Sequence, residues 1–529
     1  AVESSCQSGK MRRKLKYAAA AAAGVLLLLW LFCLPHDLFE GTTYSTVVTD
    51  RNGALLGARV ADDGQWRFPP RDTLPEKFVK ALVEFEDRTF FDHCGVSPRA
   101  LVRAAIQNIR NGRIVSGGST LTMQVIRLSR QKPRTLWQKL VETCMATRLE
   151  LRCSKEEILR LYAAHAPFGG NVVGIDAARW RYLGSDRTEL SWAEAATLAV
   201  LQNAPSSIHL ARNRDQLLAK RNRLLARLHA KGEIDEEDYA LALEESLIGE
   251  PYPMPQYAPH LVEWYDRKAH GQRTVTHIDR DLQHRMEEVL VRWNRELRQK
   301  GIRDLAAIIV EVESGEPAAY CGNSDLSFDR DGKWVDIARS PRSSGSILKP
   351  LLYAAALERG TILPNSLLPD VPMDFGGFAP KNFNGSFAGA IEADQALALS
   401  LNIPNVYLLK EYGILRFVET LREAGLKTLS RPADEYGLSL ILGGAEVTLV
   451  EITACYAKMA ACYRDSTRYP SFPLHDRIAL YRTFEAMREV VRPDEMDWRR
   501  ASSAQNIAWK TGTSYGSRDA WAIGLTPKY

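Results

Sequence analysis

From Tyr17 to Leu34 the chain carries no charge and is mostly apolar, a run of eighteen residues. That is close to the shortest helix that spans a bilayer. Lys10, Arg12, Arg13, Lys14 and Lys16 precede the run, and Asp37 and Glu40 follow it. The positive-inside rule then makes residues 1–16 a cytoplasmic tail, 17–34 a transmembrane anchor and the remainder external. A cleaved signal peptide is the rival reading. It would have a shorter apolar run ending in small residues, whereas this one ends Leu31-Phe32-Cys33-Leu34-Pro35. Met11 stands just ahead of the basic cluster, so residues 1–10 read as a misassigned start or an appended tag.

Beyond the anchor the pattern changes twice. A short strand is expected at Thr46–Val48, before an Asp50-Arg51-Asn52-Gly53 turn. From about Pro75 to Glu250 apolar residues recur at three and four. Ser154-Lys155-Glu156-Glu157 and Ser191-Trp192-Ala193-Glu194 read as helix starts with acidic first turns. Residues 45–250 are thus expected to form a mostly helical domain. Pro251, Pro253 and Pro255 then mark a linker or boundary. Past it, Thr274–Thr276 and Ala306–Val312 read as strands, and Lys349–Arg359 and Ile391–Leu399 as helices. Strands mixed with helices imply an α+β domain over residues 251–529. The expectation is a multi-domain chain.

Composition agrees and excludes little else. A chain of 529 residues with 45% apolar and 25% charged positions is ordinary globular material for two or three domains. A net charge of +5 gives no reason to expect a nucleic-acid partner, and none is expected. The eight cysteines show no CxxC spacing, which argues against a zinc site, and no disulfide is assigned. Cys455 and Cys462, two helical turns apart, read as buried thiols.

The placement of charge carries more. Between Asp92 and Glu142 there is no acid, but Arg99, Arg103, Arg110, Arg113, Arg127, Arg130, Lys132, Arg134 and Lys139 are all basic. A one-sign block beside a membrane anchor fits lipid headgroups or a phosphorylated substrate; a solvated basic face is the bland alternative. Inside the block, Gly117-Gly118-Ser119-Thr120-Leu121-Thr122 can bring backbone N–H groups to a phosphate, a weak signal by itself. Glu86 and Glu142 flank it. Transfer at an anomeric carbon wants a carboxylate to take the attacking hydroxyl's proton. If pyrophosphate departs, it also wants cations or a metal to stabilise the leaving group.

A second set lies further on. Ser346-Ile347-Leu348-Lys349 fits S-x-x-K, in which one helical turn brings an amine beside a hydroxyl. A desolvated lysine can activate such a serine. Ser400-Leu401-Asn402 and then Lys510-Thr511-Gly512-Thr513 follow in order. A Lys-Thr-Gly strand offers a cation and hydroxyls to a carboxylate, with glycine admitting a ligand close to the backbone.

Together these segments resemble the class A penicillin-binding proteins. Glu86–Gly95 (EDRTFFDHCG), Gly117–Gln124 (GGSTLTMQ), Lys139–Glu142 (KLVE) and Lys155–Tyr162 (KEEILRLY) are similar to the four motifs of family 51 peptidoglycan glycosyltransferases, in family order. Gln138 stands where that family often has arginine, and Ala163-Ala164 where it often has Leu-Asn. The later trio resembles the penicillin-binding transpeptidases, and Ala166–Gly170 and Asp519-Ala520-Trp521 look most like the 1C subgroup. The resemblance implies a lysozyme-like glycosyltransferase domain partly embedded in the membrane surface and a serine transpeptidase domain. Glu86 would be the base acting on the lipid II acceptor. Glu142, Lys139, Gly118, Ser119, Thr120 and Gln124 would handle the donor's pyrophosphate. Glu142 is the candidate ligand of a divalent cation (Mg or Mn), with no cofactor for the transpeptidase.

In the second domain Ser346 would be acylated by a stem peptide ending D-Ala-D-Ala, or by a β-lactam. Lys349 would be the base, Ser400 and Asn402 would support proton movement, and Lys510, Thr511, Gly512 and Thr513 would hold the carboxylate. Implied partners are lipid II, nascent glycan strands, stem peptides, the inner membrane and other wall-synthesis proteins, with both domains periplasmic. Relatives continue beyond this point with more sheet and a helix, so the transpeptidase half is expected to be incomplete and its Lys510 strand loosely held. A serine hydrolase of the β-lactamase or carboxypeptidase type, and a non-catalytic wall scaffold, remain as alternatives.

Overall fold

The computed structural model describes residues 2–111, 117–133, 135–185, 189–202, 213–247, 249–383, 385–489 and 507–529. Arg113 and Arg134 of the basic block lie outside the described residues, as does Ala1 of the expected tail. The chain divides into two units. One comprises Ala1–Thr49, Gly53–Gln256 and Val262–Val275; the other comprises Asp50–Asn52, Tyr257–Leu261 and Thr276–Tyr529.

The first unit is mostly helical. Helix Trp192–Leu201 is apolar apart from Glu194 and Thr197 and is buried at every position but Glu194, so it forms the centre of the unit. Helices Glu76–Glu86 and Arg214–Ala230 pack against it. Helix Leu121–Arg130 lies against both Leu136–Glu150 and Lys155–His165. The expected starts at Ser154 and Ser191 are full capping boxes, in which the serine hydroxyl and the glutamate three residues on satisfy each other's backbone N–H groups. Such caps contribute about 1 kcal/mol each. Strand Thr46–Thr49 pairs antiparallel with Leu55–Arg59 and parallel with Arg273–Val275. The chain therefore returns to the first unit after the proline-rich stretch, and the boundary is not one cut near residue 250. Sequence texture marks where a linker begins, but only strand pairing decides which unit owns the segment after it.

Helix Val2–Leu31 precedes this sheet. Among the described residues no helix is long and apolar enough to cross a membrane. Leu26, Leu27, Leu28, Leu29 and Phe32 are nonetheless exposed.

The second unit is α+β. Helix Lys349–Glu358 is buried over its first eight residues and packs against Asn402–Tyr412 and Arg477–Arg488. Strand Ala307–Val310 pairs antiparallel with Pro317–Cys321, and Ala508–Thr513 with Ala520–Leu525, so the described strands form two-stranded ribbons. Helix Leu449–Arg464 carries Cys455 and Cys462 into the core as free thiols. The strand bearing Lys510 is paired along its whole length, and Trp521 Nε1 on its partner donates to Ser343 O at 2.8 Å. Among the described residues the other edge of the Lys510 strand pairs with no strand.

Candidate active sites

Glu86 is the last residue of helix Glu76–Glu86, whose inner face (Phe78, Ala81, Leu82) is buried. The chain then turns sharply, and Asp87 points inward. Its Oδ2 accepts the Leu121 backbone N–H at 3.1 Å and lies 3.0 Å from His93 Nε2. A carboxylate is thus set at the N-terminus of helix Leu121–Arg130, where the helix dipole favours it. Thr120 caps the same helix, accepting from Met123 N at 3.2 Å and donating to Gly95 O at 2.6 Å. Gly95 has φ +86° and approaches Ala146 so closely that a Cβ would lie 2.6 Å from its carbonyl oxygen. A Cβ on Gly118 would meet Leu101 Cα at 3.0 Å. Lys155 closes the assembly: its Nζ donates to Glu150 and to His93 O, and it stands over the Phe90 ring.

Several residues expected to touch substrate therefore have structural duties. The Thr120 hydroxyl is buried in the cap. Thr122 bonds Glu150, and Gly118 is a packing glycine. Ser119 is half-buried and Gly117 exposed. Gln124 reaches Glu86 directly: its Nε2 donates to Glu86 Oε2 at 2.9 Å, while its Oε1 accepts from Arg127 at 3.2 Å. The amide is thereby oriented, and it holds one oxygen of the carboxylate. Lys139 and Glu142 lie one turn apart on helix Leu136–Glu150, so they share a face. Glu142 is nearly buried and Lys139 half-buried.

In the second unit the three motifs come together. Gly345, at φ +52°, leads into the turn that holds Ser346; a Cβ there would lie 2.8 Å from Thr513 N. On the facing strand a Cβ on Gly512 would lie 3.1 Å from Ser346 N. Two glycines, one on each side, thus let the Lys510 strand press against the serine turn. Ser346 is half-buried and precedes helix Lys349–Glu358 by one turn. Lys349 Nζ does not hydrogen-bond to it. The amine donates to Ser400 O at 2.8 Å, Leu401 O at 3.1 Å and Asn402 Oδ1 at 2.9 Å. Carbonyl and amide oxygens are stronger acceptors than a hydroxyl, which accounts for this arrangement.

Ser400 adopts a left-handed backbone, φ +55°. For a residue other than glycine that conformation costs on the order of 1 kcal/mol and persists only where surroundings enforce it. Here it turns the Ser400 carbonyl to Lys349 and leaves the hydroxyl accepting from Lys510 Nζ at 2.7 Å. Lys510 also donates to Thr511 O at 2.7 Å. Burial pushes Lys510 down to about 7. Burial first, and then the charge of Lys510, hold Lys349 well below the ordinary lysine range. The three acceptors around Lys349 oppose that shift, but complete burial beside a second amine outweighs them.

Two residues that no sequence motif marked complete this site. Asn382 Oδ1 accepts from Asn402 N at 2.9 Å, and its Nδ2 donates to Asp370 Oδ1 at 2.7 Å. They lie in loop and strand segments whose only sequence signal is polarity.

Comparisons with known proteins identify the two domains. The Transglycosylase family model matches residues 53–229, and the penicillin binding protein transpeptidase domain model matches residues 305–528. Penicillin-binding protein 1C of Escherichia coli (strain K12) is 39% identical over 489 residues, which is 91% of this chain and 63% of that protein. Penicillin-binding protein 1B of Vibrio cholerae is 29% identical over 517 residues, 89% of this chain and 66% of that one. A crystal structure of penicillin-binding protein 1A from Haemophilus influenzae aligns with TM-score 0.48 and 18% identity over 91% of this chain and 86% of that one. The first unit thus carries a transglycosylase domain and the second a penicillin-binding transpeptidase domain. The chain belongs to the class A penicillin-binding protein family. It spans 63% of the length of its E. coli relative.

Proposed function

We propose that the chain is a bifunctional peptidoglycan synthase that polymerises lipid II and cross-links stem peptides. The observation that carries this reading is the convergence of Lys349, Ser400, Asn402 and Lys510 in one hydrogen-bonded group, with the Lys510 strand packed on the Ser346 turn. In the transpeptidase, Ser346 Oγ attacks the carbonyl carbon of the penultimate D-Ala and passes its proton to Lys349 Nζ. The C–N bond to the terminal D-Ala breaks. The departing amine takes its proton from the Ser400–Lys510 pair, whose hydroxyl and amine lie 2.7 Å apart. An amine of a neighbouring strand then attacks the acyl-serine carbon and gives a proton back to the Ser400–Lys510 pair, and the acyl–Oγ bond breaks as Lys349 returns its proton to Ser346. A β-lactam enters the same first step.

In the glycosyltransferase, Glu86 takes the proton of the acceptor 4-hydroxyl, whose oxygen attacks the donor's anomeric carbon with inversion. The bond to the lipid pyrophosphate breaks. Gln124, held by Arg127, fixes the Glu86 carboxylate. The Lys139 ammonium makes no hydrogen bond or ion pair with a described residue, so its charge is available to the pyrophosphate. Among the described residues no three metal-ligating side chains gather. Glu142 supplies one carboxylate, which fits a Mg or Mn ion coordinated mainly by substrate phosphate oxygens. That ion would neutralise charge on the leaving group.

The membrane reading belongs to the same proposal. Tyr17–Leu34 would be the single-pass anchor, with the N-terminus cytoplasmic and both domains periplasmic at the inner membrane. Its support is the exposed apolar surface of Val25–Leu29 and Phe32. Exposed Val102, Ile106 and Ile109 lie near Arg99 and Arg103 in the sequence, and exposed Trp137 and Leu140 flank Lys139, an apolar and basic combination suited to an anionic lipid surface. The test is lipid II polymerisation and cross-linking by the purified chain, with and without penicillin. Polymer that forms in both cases, cross-linked only without penicillin, is expected; failure to form polymer overturns the first activity, and failure to bind penicillin overturns the second.

A further inference from the structure

Lys349 is oriented by Asn402, and Asn402 is itself oriented from behind. Its Nδ2 donates to Lys381 O at 2.8 Å, which leaves Oδ1 facing the lysine. The next residue, Asn382, is 4% exposed. Its Oδ1 accepts from the backbone N–H groups of Asn402 at 2.9 Å and Ile403 at 3.3 Å, the first turn of helix Asn402–Tyr412. Its Nδ2 donates to Asp370 Oδ1 at 2.7 Å and Ser386 O at 2.9 Å. Asp370 is 1% exposed, and its other oxygen accepts from Ala388 N at 2.8 Å. Asp370 sits on strand Leu367–Asp370, paired with Gly389–Glu392, so the far end of this chain is anchored in a ribbon. No member but Asn402 and Lys349 belongs to the three motifs.

We infer that Asn382 and Asp370 form a buried strut that holds the Ser400–Asn402 turn in register, so that Asn402 fixes the position of the Lys349 amine, one helical turn from Ser346. They are positioning residues, since neither contacts Ser346 or Lys510. The direction of the strut is chemical. The amide must give its N–H groups to Asp370 and its oxygen to the helix N–H groups, because a carboxylate has nothing to donate. The left-handed Ser400 lies inside the turn so supported. A buried polar chain with every partner in place rigidifies a turn, and one broken member leaves the rest unsatisfied.

The inference rests on the transpeptidase reading, so the experiment begins with the parent. The second-order rate of Ser346 acylation by a fluorescent penicillin is measured from pH 6 to 9, with glycan polymerisation by the same chain as a folding control for the other unit. Asn382→Asp places two carboxylates face to face. Its acylation should fall at least tenfold against the parent at pH 8, and less at pH 6, where the pair can share a proton. The double exchange Asp370→Asn with Asn382→Asp restores one donor between the two side chains and should return the rate to within about threefold. A merely structural role would lower the melting temperature and leave the pH profile of the folded enzyme unchanged. Parental acylation and pH profile in Asn382→Asp, or a double exchange as slow as the single, overturns the strut. A parent that penicillin does not label overturns the transpeptidase reading on which it rests.

Discussion

Gly512 offers a direct test of how closely the Lys510 strand must approach the nucleophile. Its φ lies outside the left-handed region, so alanine would suffer no backbone strain there. The whole cost is contact. A Cβ would lie 2.8 Å from Ile347 Cγ2, 3.0 Å from Ser344 O and 3.1 Å from Ser346 N. Ile347 is fully buried, so its methyl has little room to retreat, and the other two atoms are backbone of the serine turn. Relief requires the strand and the turn to separate by a few tenths of an ångström. The strand resists, because Gly512 pairs with Trp521 and Trp521 is itself tied to Ser343 O. Overpacking of this kind costs about 1–3 kcal/mol. In a unit of this size that corresponds to a fall of a few degrees in melting temperature. The rate should suffer more than the stability, since the separation falls between the serine and the strand that binds substrate. About 1.4 kcal/mol in the barrier is tenfold, and a tenfold or greater loss of penicillin acylation is expected for Gly512→Ala with polymerisation unchanged. The assay is stopped-flow or quenched labelling of Ser346 beside differential scanning fluorimetry. Acylation within about twofold of the parent, with unchanged melting, would refute the argument that this contact sets the slot.

Three further outcomes follow from the sites. Glu86→Gln should reduce lipid II polymerisation by about 100-fold or more, the scale of a positioned acid–base group, with Ser346 labelling intact; polymerisation within about threefold of the parent would dismiss Glu86 as the base. Lys139→Ala should weaken use of pyrophosphate-linked donor with almost no change in melting temperature, because Lys139 has no ion pair to lose among the described residues; normal turnover with a large melting shift would make it structural. Lys510 is held near 7 when folded, below its unfolded value, so between those values the unfolded chain binds more protons and stability rises with pH. Against Lys510→Gln the parent should gain about 2–3 kcal/mol between pH 7 and pH 9, read by urea unfolding of the second unit; parallel pH profiles would show that Lys510 is not desolvated.

What the sequence alone determined here is local. The capping boxes at Ser154 and Ser191, the helix from Lys349 and the buried thiols of the 449–464 helix were all legible, because each follows from side chains within one or two turns. The site motifs were legible for the same reason: a serine, a lysine one turn on and a Lys-Thr-Gly strand are short-range patterns. Tertiary structure decided what those patterns do. Spacing places an amine near the Ser346 hydroxyl, but the fold brings three oxygens from the Ser400–Asn402 turn, which take the Lys349 protons instead. The glycine loop reads as a phosphate cradle, yet Thr120 and Thr122 turn inward to cap and brace, and Gly118 only lets Leu101 come close. Asn382 and Asp370 left no mark in the sequence, because a polar residue in a loop looks the same whether it meets water or a buried carboxylate. The return of Arg273–Val275 to the first unit was equally hidden, since strand pairing across more than two hundred residues is set by where the chain comes back in space and not by the residues near the linker.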